Sequence, residues 1–308
     1  EELDLQPWQV EAVVRLIDDG ATVPFIARYR KEATGTLDEV AVSSVRDRSA
    51  QLRELDKRRG AILGSLTERG LLTDELKAAI TGAETLSALE DLYLPFRPKR
   101  RTRGTVAREK GLEPLATLLF EQDPALDPEA EAAAFVDPEK EVGSTAEALA
   151  GARDIVAEWV NESPKARERM RRLFAEQGVF RVTVVPGMEE QGAKYRDYFD
   201  WEEPVATAPS HRVLAMRRGA REGILDLRVA PPEGRALSIL EAMFVRSEGP
   251  ASRQVAEAVE DGYRRLLAHA METETRVETK KQADDAAIRV FAGNLRELLL
   301  APPLGRKR

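Results

Sequence analysis

Gln51-Leu-Arg-Glu-Leu-Asp-Lys-Arg-Arg-Gly-Ala-Ile-Leu-Gly-Ser-Leu66 places Leu52, Leu55, Ile62 and Leu66 at near-heptad spacing, with Arg53, Lys57, Arg58 and Arg59 between them. Apolar residues three, four or seven apart share one face of an α-helix. The pattern extends outward to Leu37 and Arg69, so the whole stretch predicts one long helix, which Gly70 terminates. Gly60 and Gly64 each cost about 1 kcal/mol inside a helix. They are expected to mark a close crossing with another helix.

The flanking sequence is also helical. Upstream, Val10, Val13, Val14 and Ile17 line one face between Trp8 and Asp19, with Pro7 at the start and Gly20 past the end, the favoured asymmetry of a helix. A second short segment reads as helical from Pro24. Downstream, Thr73 and Thr85 are placed as N-caps of two shorter helices. Between Gln122 and Glu147 acidic residues alternate with alanines and three Asp-Pro steps, which predicts short exposed helices begun at those steps. The acidic spacing is not that of a calcium loop. Ser144 and Glu147 form a capping box, opening a helix through Ile155, Val156, Trp159 and Val160. Ser163-Pro164 opens the next, which carries Lys165, Arg167, Arg169, Arg171 and Arg172 and ends at Gly178.

The period then changes. Val179-Phe-Arg-Val-Thr-Val-Val185 alternates and is β-branched, as a strand requires, and Ile224-Leu-Asp-Leu-Arg-Val229 predicts a second. Helices return after Pro232, from Pro250 to Met271 and from Glu272 to Leu300. The last is expected to dock through Ala287, Ile288, Phe291, Leu295 and Leu298. The fold class is therefore mainly α, with long helices and a small two-stranded β insertion. Four regions follow: residues 1–122, helical with a basic motif; 123–178, acidic and then a helical pair; 179–232, the β-containing insertion; and 233–308, the C-terminal helices.

The densest charge lies at Arg97, Lys99, Arg100, Arg101, Arg103, Arg108 and Lys110, opposed within the run only by Glu109, in a chain of net charge −7. A local cationic excess on an acidic chain is a localised electrostatic feature. Two readings stand. Arg97, Lys99, Arg100, Arg101, Arg103 and Arg108 contact nucleic-acid phosphates, or they pair internally with carboxylates such as Glu84, Glu90 and Asp91.

The 308 residues contain no cysteine, which excludes disulfides, thiolate catalysis and Cys-based zinc sites. No apolar run is long enough to span a bilayer, and the composition fits a reducing cytoplasm. There is no phosphate-binding loop, no His-Glu-x-x-His helix and no nucleophile elbow. His211 reads as a capping or packing residue and His269 as a helix-face residue, so no enzyme, metal site or cofactor is expected. Tyr195, Tyr198, Phe199 and Trp201 have base-stacking chemistry, but packing on the small sheet is the favoured role. Pro302-Pro-Leu-Gly-Arg-Lys-Arg308 reads as a linker, and the chain as a piece of a longer protein.

Val23-Pro-Phe-Ile-Ala-Arg-Tyr-Arg-Lys-Glu-Ala-Thr-Gly35, Leu89-Glu-Asp-Leu-Tyr-Leu-Pro-Phe-Arg-Pro-Lys-Arg-Arg-Thr-Arg103, Ala107-Arg-Glu-Lys-Gly-Leu-Glu-Pro-Leu-Ala116, Lys194-Tyr-Arg-Asp-Tyr-Phe199 and Pro209-Ser-His-Arg212 together carry a family resemblance. The chain resembles, from end to end, the N-terminal part of the bacterial Tex-type transcription accessory proteins, relatives of eukaryotic elongation factors. The resemblance implies an elongated helical scaffold with helix-turn-helix-like elements. It implies, beyond this chain, an RNase H-like domain, helix-hairpin-helix elements and an OB-fold RNA-binding module. The implied partners are the transcription machinery, the remaining C-terminal domains, and DNA or RNA, bound only weakly by this portion.

Overall fold

The structure, a computed structural model, describes residues 2–97 and 101–301. Lys99, Arg100 and the Pro302–Arg308 tail lie outside the described residues. The fold is mainly α: fifteen α-helices and one three-stranded antiparallel sheet among the described residues. The chain forms two compact units, Glu1–Arg97 and Pro98–Arg308, so the boundary between them falls within the basic run.

The first unit contains α1 (Pro7–Asp18), α2 (Val23–Tyr29), α3 (Lys31–Thr34), α4 (Glu39–Glu68), α5 (Asp74–Gly82) and α6 (Leu86–Tyr93). The long helix predicted from Leu37 to Arg69 is α4, begun by the Asp38 carboxylate accepting from the Ala41 amide at 2.8 Å. This helix serves two cores. Val42 and Val45 join Val13, Ile26 and Leu37 at one end, while Leu55, Ile62 and Leu66 join Ile80, Leu89 and Tyr93 at the other. Burying each such side chain stabilises the fold by about 1.5–3 kcal/mol, so α4 is held by packing at both ends. Gly60 and Gly64 are exposed and face open space, which corrects the expected close crossing. Thr73 and Thr85 do cap α5 and α6, accepting from the Leu76 and Ala88 amides. Gly35 ends α3 at φ +67°, and a Cβ there would lie 2.6 Å from the Trp8 indole. Only glycine fits both the left-handed backbone and that approach.

The second unit contains α7 (Arg103–Glu109), α8 (Glu113–Glu121), α9 (Pro128–Ala133), α10 (Thr145–Glu162), α11 (Pro164–Gln177), β1 (Val179–Val184), β2 (Asp200–Pro204), α12 (Ser210–Arg221), β3 (Leu225–Ala230), α13 (Glu233–Phe244), α14 (Pro250–Gly262) and α15 (Ala268–Leu300). One large core runs through it. Helix α10 lies at its centre, with Ala148, Leu149, Ala152, Ile155, Val156, Ala157 and Val160 all buried. A helix apolar on so many sides must be surrounded, and α7, α8, α9, α11 and α14 pack around it. The three Asp-Pro aspartates start turns as expected: Asp123, Asp127 and Asp137 accept from the amides two residues on. The Ser144 hydroxyl accepts from the Glu147 amide, but the Glu147 carboxylate takes the Gly143 amide in place of that of Ser144.

The sheet has three strands, not two, in the order β2-β1-β3. Val182 of β1 faces Trp201 on β2 and Leu227 on β3. Asp200-Trp-Glu-Glu-Pro204 lacks β-branched residues, and its charges and proline suit an edge strand, so propensity did not mark it. Tyr195 is buried, and Tyr198 meets Trp201 edge-on with ring centroids 6.0 Å apart, so the aromatic cluster packs on the core as favoured.

The expected break between Met271 and Glu272 is absent. A π-helical turn at Tyr263–Leu267 joins α14 to α15, and Met271 is fully buried within a continuous helix. The docking face of α15 is Met271, Thr275, Thr279 and Ala283. Thr279 donates its hydroxyl to the Thr275 carbonyl at 2.7 Å, which satisfies the polar group and leaves the methyl to pack. The predicted stripe does not dock among the described residues: Ala287, Ile288, Phe291, Leu295 and Leu298 are all exposed, Phe291 at 70%.

Candidate nucleic-acid interface

The basic run divides between the two units. In the first, Arg97 pairs with Glu90, whose other oxygen accepts from Arg58 Nε at 2.5 Å. The Arg58 hydrogen bond, against the cost of partial burial and with the further charges of Arg58 and Arg97, holds the Glu90 carboxyl below its ordinary value. Arg58 also lies over the Tyr93 ring, 5.6 Å from its centroid. Arg97 is thus tied to a knot between α4 and α6.

In the second unit the run enters α7 through Thr102, whose hydroxyl oxygen accepts from the Thr105 amide at 3.0 Å and which donates to Glu158. Glu158, 4% exposed, projects from α10. Arg108 donates to its second oxygen at 2.7 Å and to Glu113 at 3.3 Å. Burial opposes the Arg108 charge, but the Glu158 hydrogen bond and the charges of Glu158 and Glu113 outweigh it and hold the guanidinium above its ordinary value. Gly104 makes this approach possible, because a Cβ there would overlap the Glu158 carboxylate. The buried acid therefore organises the start of α7 from 50 or more residues away in sequence.

Arg101 and Arg103 stay at the surface side of α7. They line a cavity of about 500 Å³ with Lys110, Val106, Leu112, Glu141, Glu147 and Asp154. Arg101 pairs with Glu109 at 3.0 Å, and Lys110 donates to the Glu141 carbonyl at 2.9 Å. Asp154 is pushed above its ordinary value by burial, against the neighbouring charges of Arg265 and Arg103. The lining thus sets three cations, Arg101, Arg103 and Lys110, against three acids, Glu141, Glu147 and Asp154.

The structure brings Arg101 and Arg103 together, turns Arg108 inward, and ties Arg97 to Glu90 in the other unit. The residues missed from sequence are Asp154, Glu158 and Gly104. Asp154 and Glu158 are four apart and flank the apolar residues Ile155, Val156 and Ala157 of α10, which was the available signal. The second basic segment, on α11, is also engaged. Arg167 and Arg171 both bond Glu274 of α15, and Arg172 pairs with Glu176 at 2.8 Å. No described helix is long and apolar enough to cross a membrane.

Two family models match the chain: the Tex-like protein N-terminal domain over residues 1–67, and the Tex central region over residues 123–291. Protein tex of Bordetella pertussis is 45% identical over 99% of this chain, and the transcriptional accessory protein Tex of Neisseria gonorrhoeae is 40% identical over 99%. A human protein named S1 RNA-binding domain-containing protein 1 is 24% identical over 99% of the chain, which covers 32% of that protein. The chain spans about 40% of the length of these bacterial relatives. It belongs to the family of Tex-like transcription accessory proteins.

Proposed function

We propose that this chain is the helical scaffold of a Tex-like factor, holding nucleic-acid-binding modules in register and offering surfaces to the transcription machinery. The observation that carries this reading is the use made of the basic run. Thr102 and Arg108 are spent on buried Glu158, and Arg97 on Glu90, so these residues of the basic motif fasten helices within each unit. A scaffold needs fixed helix crossings more than it needs free charge. The RNA binding in the name of the human relative is assigned, on this reading, to portions of the protein outside this chain. No catalytic role is proposed.

A second reading is favoured by one observation: Arg101 and Arg103 face an open cavity of about 500 Å³. There they have the chemistry for direct phosphate contact. The test is Arg101→Glu with Arg103→Glu in a full-length family member. On the scaffold reading its affinity for single-stranded RNA and its salt slope stay unchanged. A weaker affinity with a flatter salt slope and an unchanged melting temperature would establish the phosphate reading.

A further inference from the structure

A second cationic feature lies where no run of sequence announces it. Arg217, Arg218 and Arg221 on α12 and Arg276 and Lys280 on α15 line a cleft of about 460 Å³, whose other lining residues are Leu214, Ala220 and Asp284. Five cations therefore meet one acid, on a chain of net charge −7. Asp284 is itself engaged by Lys280. Arg218, Arg221 and Arg276 form no ion pair among the described residues, although the Lys194 hydrogen bond and, more weakly, the Arg218 charge hold the neighbouring Glu222 carboxyl below its ordinary value. By contrast Arg97 and Arg108, the described cations of the basic run outside the cavity, are both paired. Arg217 is spent differently, donating to the Arg276 backbone carbonyl at 2.6 Å. Burial and the adjacent Arg276 charge, only partly offset by the Asp284 charge, press Arg217 below the ordinary arginine value, as crowded like charges should do.

The geometry points to a site for the phosphate backbone of a nucleic-acid strand in the cleft between α12 and α15. Arginines in the last turn of a helix complement the negative end of its dipole, which accounts for Arg218 and Arg221. It does not account for Arg276 and Lys280, which come from within α15 and converge on the same cleft. On each helix the cations stand one turn apart, Arg217 and Arg221 on one wall and Arg276 and Lys280 on the other. Four residues advance a helix about 6 Å, so each wall repeats its charge along the cleft. Two repeating rows suit a linear polyanion better than a single ion. Four of the five cations are arginines, whose planar forks match phosphate oxygens in pairs. The apolar lining is only Leu214 and Ala220, which offers no pocket for the anchoring side chain of an acidic peptide. This site is separate from the basic run, and the scaffold reading stands or falls without it.

The test titrates fluorescent 20-nucleotide single-stranded RNA with the 308-residue chain at low salt, beside single-stranded DNA and duplex DNA of equal length. Sequence-independent phosphate binding sits at roughly 10⁻⁶–10⁻⁴ M near physiological salt and tightens as salt falls. Arg218→Gln with Arg221→Gln is expected to weaken binding on the order of tenfold and to lower the salt slope by about 1.4, two single-strand contacts at about 0.7 each. Arg235→Gln with Arg253→Gln, two exposed arginines on α13 and α14, removes the same charge and is expected to leave affinity within about twofold. Should the double variant melt early, Lys280→Gln carries the comparison, with a slope change of about 0.7. Which of the three nucleic acids binds tightest identifies the source of the backbone. Equal losses in the cleft and control variants, or no binding to any of the three, would overturn the proposal. Tighter binding to poly-glutamate of matched charge would overturn it in favour of an acidic protein partner.

Discussion

Two cationic regions of one compact unit differ in how their charge is spent. Around α7 the cavity lining sets three cations against three acids, and Arg108 turns inward to Glu158. Between α12 and α15 five cations meet one acid. The first region is conspicuous in sequence and nearly neutral in space. The second is scattered over residues 217 to 280 and unbalanced in space. Charge density along a chain therefore does not report the field at a surface, because a helix from a distant segment can supply the counter-charge. What matters is which helices pack against the cations: for α7 it is α10, bearing Asp154 and Glu158, and for α12 it is α15, bearing Arg276 and Lys280.

The comparison breaks most directly at Arg108. Arg108→Gln deprives buried Glu158 of one of its cationic neighbours, and losses of up to about 3 kcal/mol follow when one member of such a pair is removed. Arg218→Gln, at an exposed position, should stay within about 0.5 kcal/mol. Chemical denaturation of both variants checks the contrast. A loss below about 1 kcal/mol at Arg108 would mean that the other neighbours of Glu158 hold it, and the structural reading of α7 would fail. Gly104→Ala probes the same contact sterically. Its methyl group would displace the Glu158 carboxylate from Thr102 and Arg108, at about 1–3 kcal/mol. A neutral Gly104→Ala in the same assay would show that α7 can shift away from α10 without cost.

Local physics decided which parts of the fold were legible. Of the near-heptad set Leu52, Leu55, Ile62 and Leu66 all but Leu52 are buried, and with the caps Thr73 and Thr85 they act within a few residues, so α4, α5 and α6 follow from them. Strand β2 was hidden because its stability comes from pairing with Val179–Thr183, not from the propensity of Asp200-Trp-Glu-Glu-Pro204. The continuity of α14 and α15 was hidden because threonine has low intrinsic helix propensity, although Thr275 and Thr279 form part of the docking face. The apolar stripe of Ile288, Phe291, Leu295 and Leu298 was visible, but periodicity marks an apolar face without saying what covers it. At the candidate site the cations and the nearby counter-charges Glu90 and Glu109 could be found, and the distant ones could not. Glu158 lies 50 residues from Arg108, and no local rule joins them.

A smaller effect sharpens the comparison in the other unit. Glu90, bonded by Arg58 and Arg97, has its carboxyl held below the ordinary 4.5. A depressed acid stabilises the folded chain above its unfolded value, and that contribution is lost as pH falls through the folded value. Glu90→Gln should therefore be less stable than the parent at neutral pH, by up to about 1 kcal/mol for a partly exposed pair. The gap should narrow as the medium is taken below pH 4.5. Melting curves of both proteins across pH 3–7 give the answer, and a gap independent of pH would mean that Glu90 acts by packing and not by charge.

The smallest effect has the opposite sign. Arg276 crowds Arg217 in the cleft, with Asp284 the only lining acid and already engaged by Lys280. Arg276→Gln removes one of the crowded charges. The hydrogen bond from Arg217 survives, because it goes to the backbone carbonyl of residue 276. Stability should then hold or rise, within about 0.5 kcal/mol, where Arg108→Gln lowers it. Any gain should be largest at low salt, since the Debye length shrinks from about 30 Å at 0.01 M to about 3 Å at 1 M. Melting temperatures at those two salt concentrations separate the outcomes. A clear loss at low salt that disappears at high salt would mean that an acid outside the cleft lining compensates Arg276, and the two regions would then be alike.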